Sequence, residues 1–527
     1  MADIVLYNAV VHTVDAQQPH ASAIAIDGER VRACGDDEAM CALLTRGGRA
    51  LDLQGRCVIP GLIDAHVHFE GFALGLSEID AETASLDELL ERVRTRARQT
   101  PADGWLLGWG WNHNAWDGQW PHKGQLDDAA PNHPVFLRAK SGHAGWANSR
   151  ALALAGIDRS TPDLAGGQIV RDGCGEATGI LLEEAQALIP TPEPSVEEVA
   201  QAMHRAQQQA LARGLTGVHD VDGTRAFAAW QLLRARGQMQ LRVCKSIPSS
   251  KLDEALAVGL RSGLGDAWLR LGGVKYFSDG ALGPRTAWML DSYTGEPNNV
   301  GMALMDMDRL RDDVTRASAG GLCCWIHAIG DRANREVLDA LDAVRGDGLR
   351  HRIEHAQLLH PDDLPRFAAQ SVIASVQPIH ATSDMHIVER FWGERGRLAY
   401  AFNSLLSSGA AVAFGSDNPV EPIDPLWGIH AAVTRRRADG TPGREGFYPQ
   451  ERLTPLDALH GYTLGAAYAS GEEAHKGSLA PGKLADLVVL DGDLCAIDPT
   501  QLCELQVLGT MVGGTWRYRA EGFDTGA

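Results

Sequence analysis

Apolar and polar positions alternate through residues 3–58, in runs such as Ile4-Val5-Leu6, Val10-Val11 and Ala23-Ile24-Ala25-Ile26. Alternation of this kind predicts strands, and Asp27-Gly28 ahead of Val31 is a hairpin signal. A second strand-like group lies near the other end, at Ala485 to Leu490, Leu508 to Val512 and Trp516 to Tyr518. Together they predict a small sheet assembled from both termini, a β-sandwich of residues 1–58 and 471–527. Between these parts, short strand-like runs alternate with helical patterns, which predicts βα units and a parallel sheet. The runs are Gly61 to Ala65, Leu215 to Val218, Leu241 to Cys244, Leu271 to Tyr276, Leu322 to Ile326, Arg352 to Glu354, Val372 to Val376 and Ala411 to Phe414. Val196 to Arg213 is amphipathic and stops at Gly214; Asp331 to Val344 and Leu398 to Ser408 read likewise. Eight βα units predict an α/β fold, a (β/α)8 TIM-type barrel over residues 59–470, with its active site at the C-terminal ends of the strands.

The gap of about 145 residues between the first two runs is far too long for a simple connection. It predicts an inserted subdomain, residues 72–195, placed over the barrel mouth, with a helix at Leu86 to Arg98 and a Trp-rich stretch. Most of its tryptophans are expected to be core.

Composition narrows the partners. The 48 Lys+Arg against 68 Asp+Glu leave a formal charge of −20, which argues against nucleic acid or an anionic membrane, since both need basic side chains at phosphates. No apolar stretch approaches a membrane span, and the first residues lack the basic and apolar regions of a secretory signal. Nine cysteines without a C-x-x-C pair read as reduced thiols, so a cytoplasmic protein is expected.

The first candidate chemistry is His66-x-His68 at the end of the first barrel run. Alternate strand residues point the same way, so both imidazoles can share one metal. Lys275 ends the fourth run, His327 follows the fifth, His355 the sixth and Asp417 the eighth. Each alone is unremarkable. Four histidines, a lysine and an aspartate on one rim are not explained by six separate structural accidents.

The set resembles the binuclear pattern of the amidohydrolase superfamily. The words Gly273-Val274-Lys275-Tyr276-Phe277-Ser278-Asp279-Gly280, His327-Ala328-Ile329-Gly330-Asp331, Arg352-Ile353-Glu354-His355-Ala356-Gln357 and Gly415-Ser416-Asp417-Asn418-Pro419 are similar to those of the branch with YtcJ-like proteins and N-substituted formamide deformylase. The resemblance implies two divalent cations, zinc first, with manganese, iron or cobalt as alternatives. It places His66, His68 and Asp417 on one cation and His327 and His355 on the other. Lys275, carboxylated by carbon dioxide to a carbamate, would bridge them. It further implies hydrolysis of a C–N bond in an amide or N-substituted formamide, with Asp417 moving the proton from water to the leaving amine. Ester or lactone hydrolysis, and isomerisation or decarboxylation on the same barrel, are the alternatives. Trp111, His143 and His380 are the candidates for touching the small-molecule substrate that the resemblance implies, His219-Asp220 is expected to stand behind the ligands, and homodimers are common among such barrels.

Two further signals carry no chemistry. Gly477 to Lys483 spells a phosphate-loop pattern, but Leu484 replaces the required hydroxyl and a strand follows. No G-x-S-x-G elbow occurs.

Overall fold

The structure is a computed structural model that describes residues 1–113, 116, 118–140, 144–164 and 167–523. The chain divides into two compact units, one of Met1–Gly71 with Met203–Ala527 and one of Phe72–Ala202.

In the first unit, eight strands form a single parallel sheet in chain order: β1 (Leu62–Val67), β2 (Leu215–Asp220), β3 (Arg242–Pro248), β4 (Leu269–Phe277), β5 (Cys323–Ala328), β6 (Arg352–His355), β7 (Ile373–Val376) and β8 (Val412–Phe414). Their residues are buried almost throughout, as expected of parallel strands covered on both faces. Beyond β8 the chain returns to β1. The Asp417 N–H donates to the His66 carbonyl at 2.8 Å, and the His68 N–H to the Asn418 carbonyl at 2.9 Å. These bonds bring the last strand to the first at the C-terminal rim of a TIM-type barrel. Gly415 permits the approach, since a Cβ there would stand 2.5 Å from the His66 nitrogen.

The connecting helices follow the apolar periodicity. Asp331–Asp342 buries Ala333, Val337, Leu338 and Leu341 on one face. Val196–Ala212 ends before Gly214, whose φ of 80° suits the glycine that terminates a helix. The helix expected over Leu398 to Ser408 is confined to Phe402–Ser407. Tyr400 lies in the left-handed region at φ 54°, held there by its N–H on the Gln357 carbonyl at 2.7 Å and its hydroxyl on Asp384 at 2.5 Å. Tertiary hydrogen bonds override the local helical preference there.

The terminal segments form two sheets rather than one. Ala2–Tyr7, Ala23–Asp27, Arg30–Gly35 and Leu44–Asp52 make a four-stranded sheet. Its hairpin turns at Gly28-Glu29, between the paired Asp27 and Arg30. The second sheet joins Val10–His12, His20–Ala21 and Cys57–Pro60 to the C-terminal strands Leu487–Leu490, Val507–Val512 and Thr515–Arg519. Leu6, Ile24 and Ile26 from one sheet share a core with Val11, Val58, Leu487, Val489 and Met511 from the other.

The second unit carries a six-stranded mixed sheet with helices, among them Leu86–Gln99, over a core that includes Leu89, Val93, Leu137, Trp111 and Trp146. Among the described residues, no helix is long and apolar enough to cross a membrane.

Candidate metal centre

The barrel's C-terminal rim collects every predicted ligand. His66 lies in β1 and His68 just past it; Lys275 stands two residues before the end of β4, His327 is inside β5, His355 ends β6 and Asp417 follows β8. His355 and Asp417 adopt φ of 72° and 59°, in the left-handed region that non-glycine residues seldom occupy. Such strain, of order 1–3 kcal/mol per residue, persists where the surroundings fix it. At both positions the chain turns sharply out of a strand.

His66 Nε2 lies 3.4 Å from Asp417 Oδ1, and His68 Nε2 lies 3.5 Å from the same oxygen. A tetrahedral cation about 2.0–2.1 Å from each donor requires donors about 3.3–3.4 Å apart. The three side chains therefore already fit a metal. His327 and His355 stand beside them, with ring centroids 4.6 Å apart, and the His355 ring is 5.0 Å from that of His66.

The ring tautomers follow from what each histidine touches on its far side. His66 Nδ1 meets Glu354 Oε2 at 2.6 Å, and His68 Nδ1 meets Asp222 Oδ1 at 2.8 Å. His327 Nε2 meets the Gly280 carbonyl at 3.0 Å, and His355 Nδ1 meets Gln377 Oε1 at 2.7 Å. All four partners can only accept, so each of these nitrogens carries the proton and the other keeps its lone pair for a cation. Protonation does not compete at three of them. Burial and the nearby Lys275 hold His66 well below the usual imidazole range and push His327 down to about 3, while burial and the charge of His327 depress His355. For His68 burial acts in the same direction, but the hydrogen bond and charge of Asp222 outweigh it and raise the group.

Lys275 is 3% exposed, and its Nζ makes no hydrogen bond. Burial lowers the amine to about 8 against the opposing pull of Glu354 and Asp417. The amine lies 4.8 Å from the centre of the Phe277 ring, and a buried ammonium without a hydrogen bond is costly. Carboxylation of a neutral amine would give this position two oxygen donors, a chemistry compatible with the histidine and aspartate donors around it.

Two buried carboxyls fix the rim. Asp64 accepts the N–H groups of His66 and Ser416, each at 3.0 Å, and the Ser416 hydroxyl at 2.5 Å, tying β1 to the Asp417 turn. Asp279 accepts from Trp288, Ile329 and Gly330 at 2.8–3.0 Å, anchoring the turn after His327. Burial raises both carboxyls to about 7. Under the site, Glu354 also pairs with Arg352 Nε at 2.5 Å, and the Arg352 guanidinium lies 3.5 Å from the centre of the Trp325 ring. Arg352 donates to His219 Nδ1 at 2.9 Å, so His219 reaches the ligands only through Arg352 and Glu354. Its neighbour Asp220 accepts from Trp230 at 2.6 Å and pairs with Lys245 at 3.3 Å.

The substrate-facing candidates separate. His380, in the first turn of Pro378–Trp392, stands with Nε2 3.7 Å from Asp417 Oδ2 and its ring 6.1 Å from His355. Trp111 is fully buried in the second unit, its indole N–H donated to the Leu137 carbonyl at 2.8 Å and its ring against Trp146 and Trp116. Those are the contacts of a core residue. His143 lies outside the described residues. Sequence reasoning gave no role to Glu354, Asp222, Gln377, Asp64 or Asp279. Glu354 and Asp279 fall within the family-like words and Asp222 lies two residues after Asp220 at the end of β2, but nothing local marks which histidine or turn each one holds.

Comparison with known proteins agrees with this geometry. Residues 49–518 match the model of the amidohydrolase family. Protein LONG AFTER FAR-RED 3 of Arabidopsis thaliana is 36% identical, over 98% of this chain and 92% of its own. The putative amidohydrolase YtcJ of Bacillus subtilis is 34% identical, over 89% and 90%. The N-substituted formamide deformylase of Arthrobacter pascens is 33% identical, over 99% of each. Among solved structures, an uncharacterized metal-dependent hydrolase of Pyrococcus horikoshii superposes with a TM-score of 0.80 at 31% identity, over 94% of this chain and 99% of that one. The chain belongs to the amidohydrolase family, in the branch that includes YtcJ and N-substituted formamide deformylase.

Proposed function

We propose that the chain hydrolyses a C–N bond of a small amide or N-substituted formamide at a binuclear zinc-type centre. His66, His68 and Asp417 would hold one cation and His327 and His355 the other, with Lys275, once carboxylated, as a further oxygen ligand. Bound cations supply Lewis acidity and a water of lowered pKa at neutral pH. Asp417 divides its two oxygens: Oδ1 faces His66 and His68, whereas Oδ2 faces His380. Oδ2 is therefore available to take a proton from the attacking water and hand it to the departing nitrogen. His380 stands beside that oxygen, placed to hydrogen-bond a substrate carbonyl. Burial of the site strengthens each of these interactions by excluding water.

The observation that carries this reading is the orphaned Lys275 amine among the histidines. At about 8, roughly one amine in ten is neutral at pH 7, against about one in 3,000 at its ordinary 10.5. Only the neutral amine attacks carbon dioxide. The test is a screen of N-formyl and N-acyl amines with zinc-loaded enzyme in oxygen-18 water. The expected result is metal-dependent turnover with label in the carboxylate product. Turnover that leaves the product unlabelled would refute hydrolysis.

A further inference from the structure

Three potential ligands of a different kind meet in the terminal sandwich. His12 ends the strand Val10–His12, which pairs with Cys57–Pro60, and that strand in turn pairs with Leu487–Leu490. The chain leaving Leu490 turns at Asp493 and brings Cys495 back. The Asp493 carboxylate fixes this turn by accepting the Cys495 N–H at 2.9 Å. His12 Nε2 lies 2.7 Å from Asp493 Oδ1, and one donor atom each from His12, Asp493 and Cys495 lie within 4.8 Å of one another.

We propose that His12, Asp493 and Cys495 form a second metal site, of the structural zinc type, joining the two ends of the chain. An imidazole, a carboxylate and a thiolate are zinc donors, and tetrahedral zinc spaces such atoms about 3.3–3.6 Å apart. The His12–Asp493 contact needs to open by only about 0.6 Å when a cation replaces the shared proton. The setting is built rather than accidental. The His12 side chain is 6% exposed and that of Asp493 25%, and the second ring nitrogen of His12 is buried without a hydrogen bond. A plain ion pair explains the 2.7 Å contact but gives no reason for a thiol beside it. His20 is registered opposite His12, with its ring edge-on at 5.3 Å. Cys57 is buried in the adjoining strand, paired with Leu490 just before the same turn. Metal binding releases the Cys495 thiol proton to solvent, so affinity rises with pH. The consequence is mechanical: residues 481 positions apart in sequence become one cross-linked unit.

The barrel centre contains only nitrogen and oxygen donors, and this gives a clean readout. Metal-free full-length protein is loaded with cobalt(II), and its near-ultraviolet absorption is followed. The expected result is a thiolate-to-cobalt charge-transfer band that disappears in Cys495→Ser and persists in Cys57→Ser. Zinc content of Cys495→Ser falls by one atom per chain after dialysis, and zinc no longer raises its thermal midpoint as far as it raises that of the unmodified chain. Absence of any thiolate band in the unmodified protein, or a band indifferent to Cys495→Ser, would overturn the proposal. So would a band that follows Cys57 alone.

Discussion

Replacing Glu354 by Gln keeps the shape of the side chain but removes the negative charge between His66 and Arg352. Glu354 and Arg352 are both fully buried, with 2.6 Å to His66 Nδ1 on one side and 2.5 Å to Arg352 Nε on the other. Two separable losses follow. Arg352 becomes a buried cation without its counter-charge, a change that costs about 3–5 kcal/mol in comparable settings. Its remaining contacts, to His219, to the Ala65 carbonyl and to the Trp325 ring, place the expected loss at the lower end, about 3 kcal/mol. His66 also loses a charged acceptor that raises its basicity toward a cation, which costs about 10–100-fold in metal affinity, or about 1.4–2.7 kcal/mol. Denaturant titration of metal-free protein reads the first loss, and zinc competition against a chelator reads the second. The double variant Arg352→Met with Glu354→Gln removes both charges, so stability should recover while metal affinity stays low. Zinc affinity within twofold of the unmodified chain in Glu354→Gln would refute the assigned role. Recovery of zinc affinity together with stability in the double variant would refute it as well.

Three other outcomes are expected. Asp417→Asn should lose at least about 100-fold in turnover at saturating metal, measured by initial rates; near-normal rates would remove its proton-transfer role. Lys275→Ala should bind fewer than two cations per chain by elemental analysis, with content and activity partly restored by propionate, which can occupy the space of the missing carbamate. His430→Gln should flatten the acid limb of the stability curve. Burial and then Arg436 hold His430 at about 4, below its ordinary 6.5, so the unfolded chain takes up the proton first as pH falls. Stability present above about 6.5 is lost on the way down to about 4, by up to about 3 kcal/mol, and urea midpoints across that range would fall less steeply in the variant than in the unmodified chain, the remaining slope coming from the other buried histidines.

The barrel was legible because most parallel strands buried on both faces appear as apolar-rich runs, with Arg352 to Glu354 the exception, and the eight runs fall on the eight strands with ends shifted by a few residues. The six candidate ligands stood out for a related reason, since a rim built from strand ends gathers side chains where each run stops. What holds those ligands did not. Glu354, Asp222, Gln377 and the Gly280 carbonyl sit on four separate segments and acquire meaning only when the barrel brings each behind its own histidine. Trp111 shows the opposite case, where a tryptophan in a suggestive word proves to be packed among its own unit's core. Tyr400 shows a third, in which long-range hydrogen bonds to Gln357 and Asp384 hold a left-handed residue inside an otherwise helical pattern.

The most direct test of the central claim is anomalous diffraction at the zinc edge from crystals of zinc-loaded protein grown in bicarbonate. The account predicts two strong peaks on the barrel rim, one among His66, His68 and Asp417 and one between His327 and His355, with density for a carboxyl group on the Lys275 amine joining them. A single peak beside an unmodified lysine would contradict it.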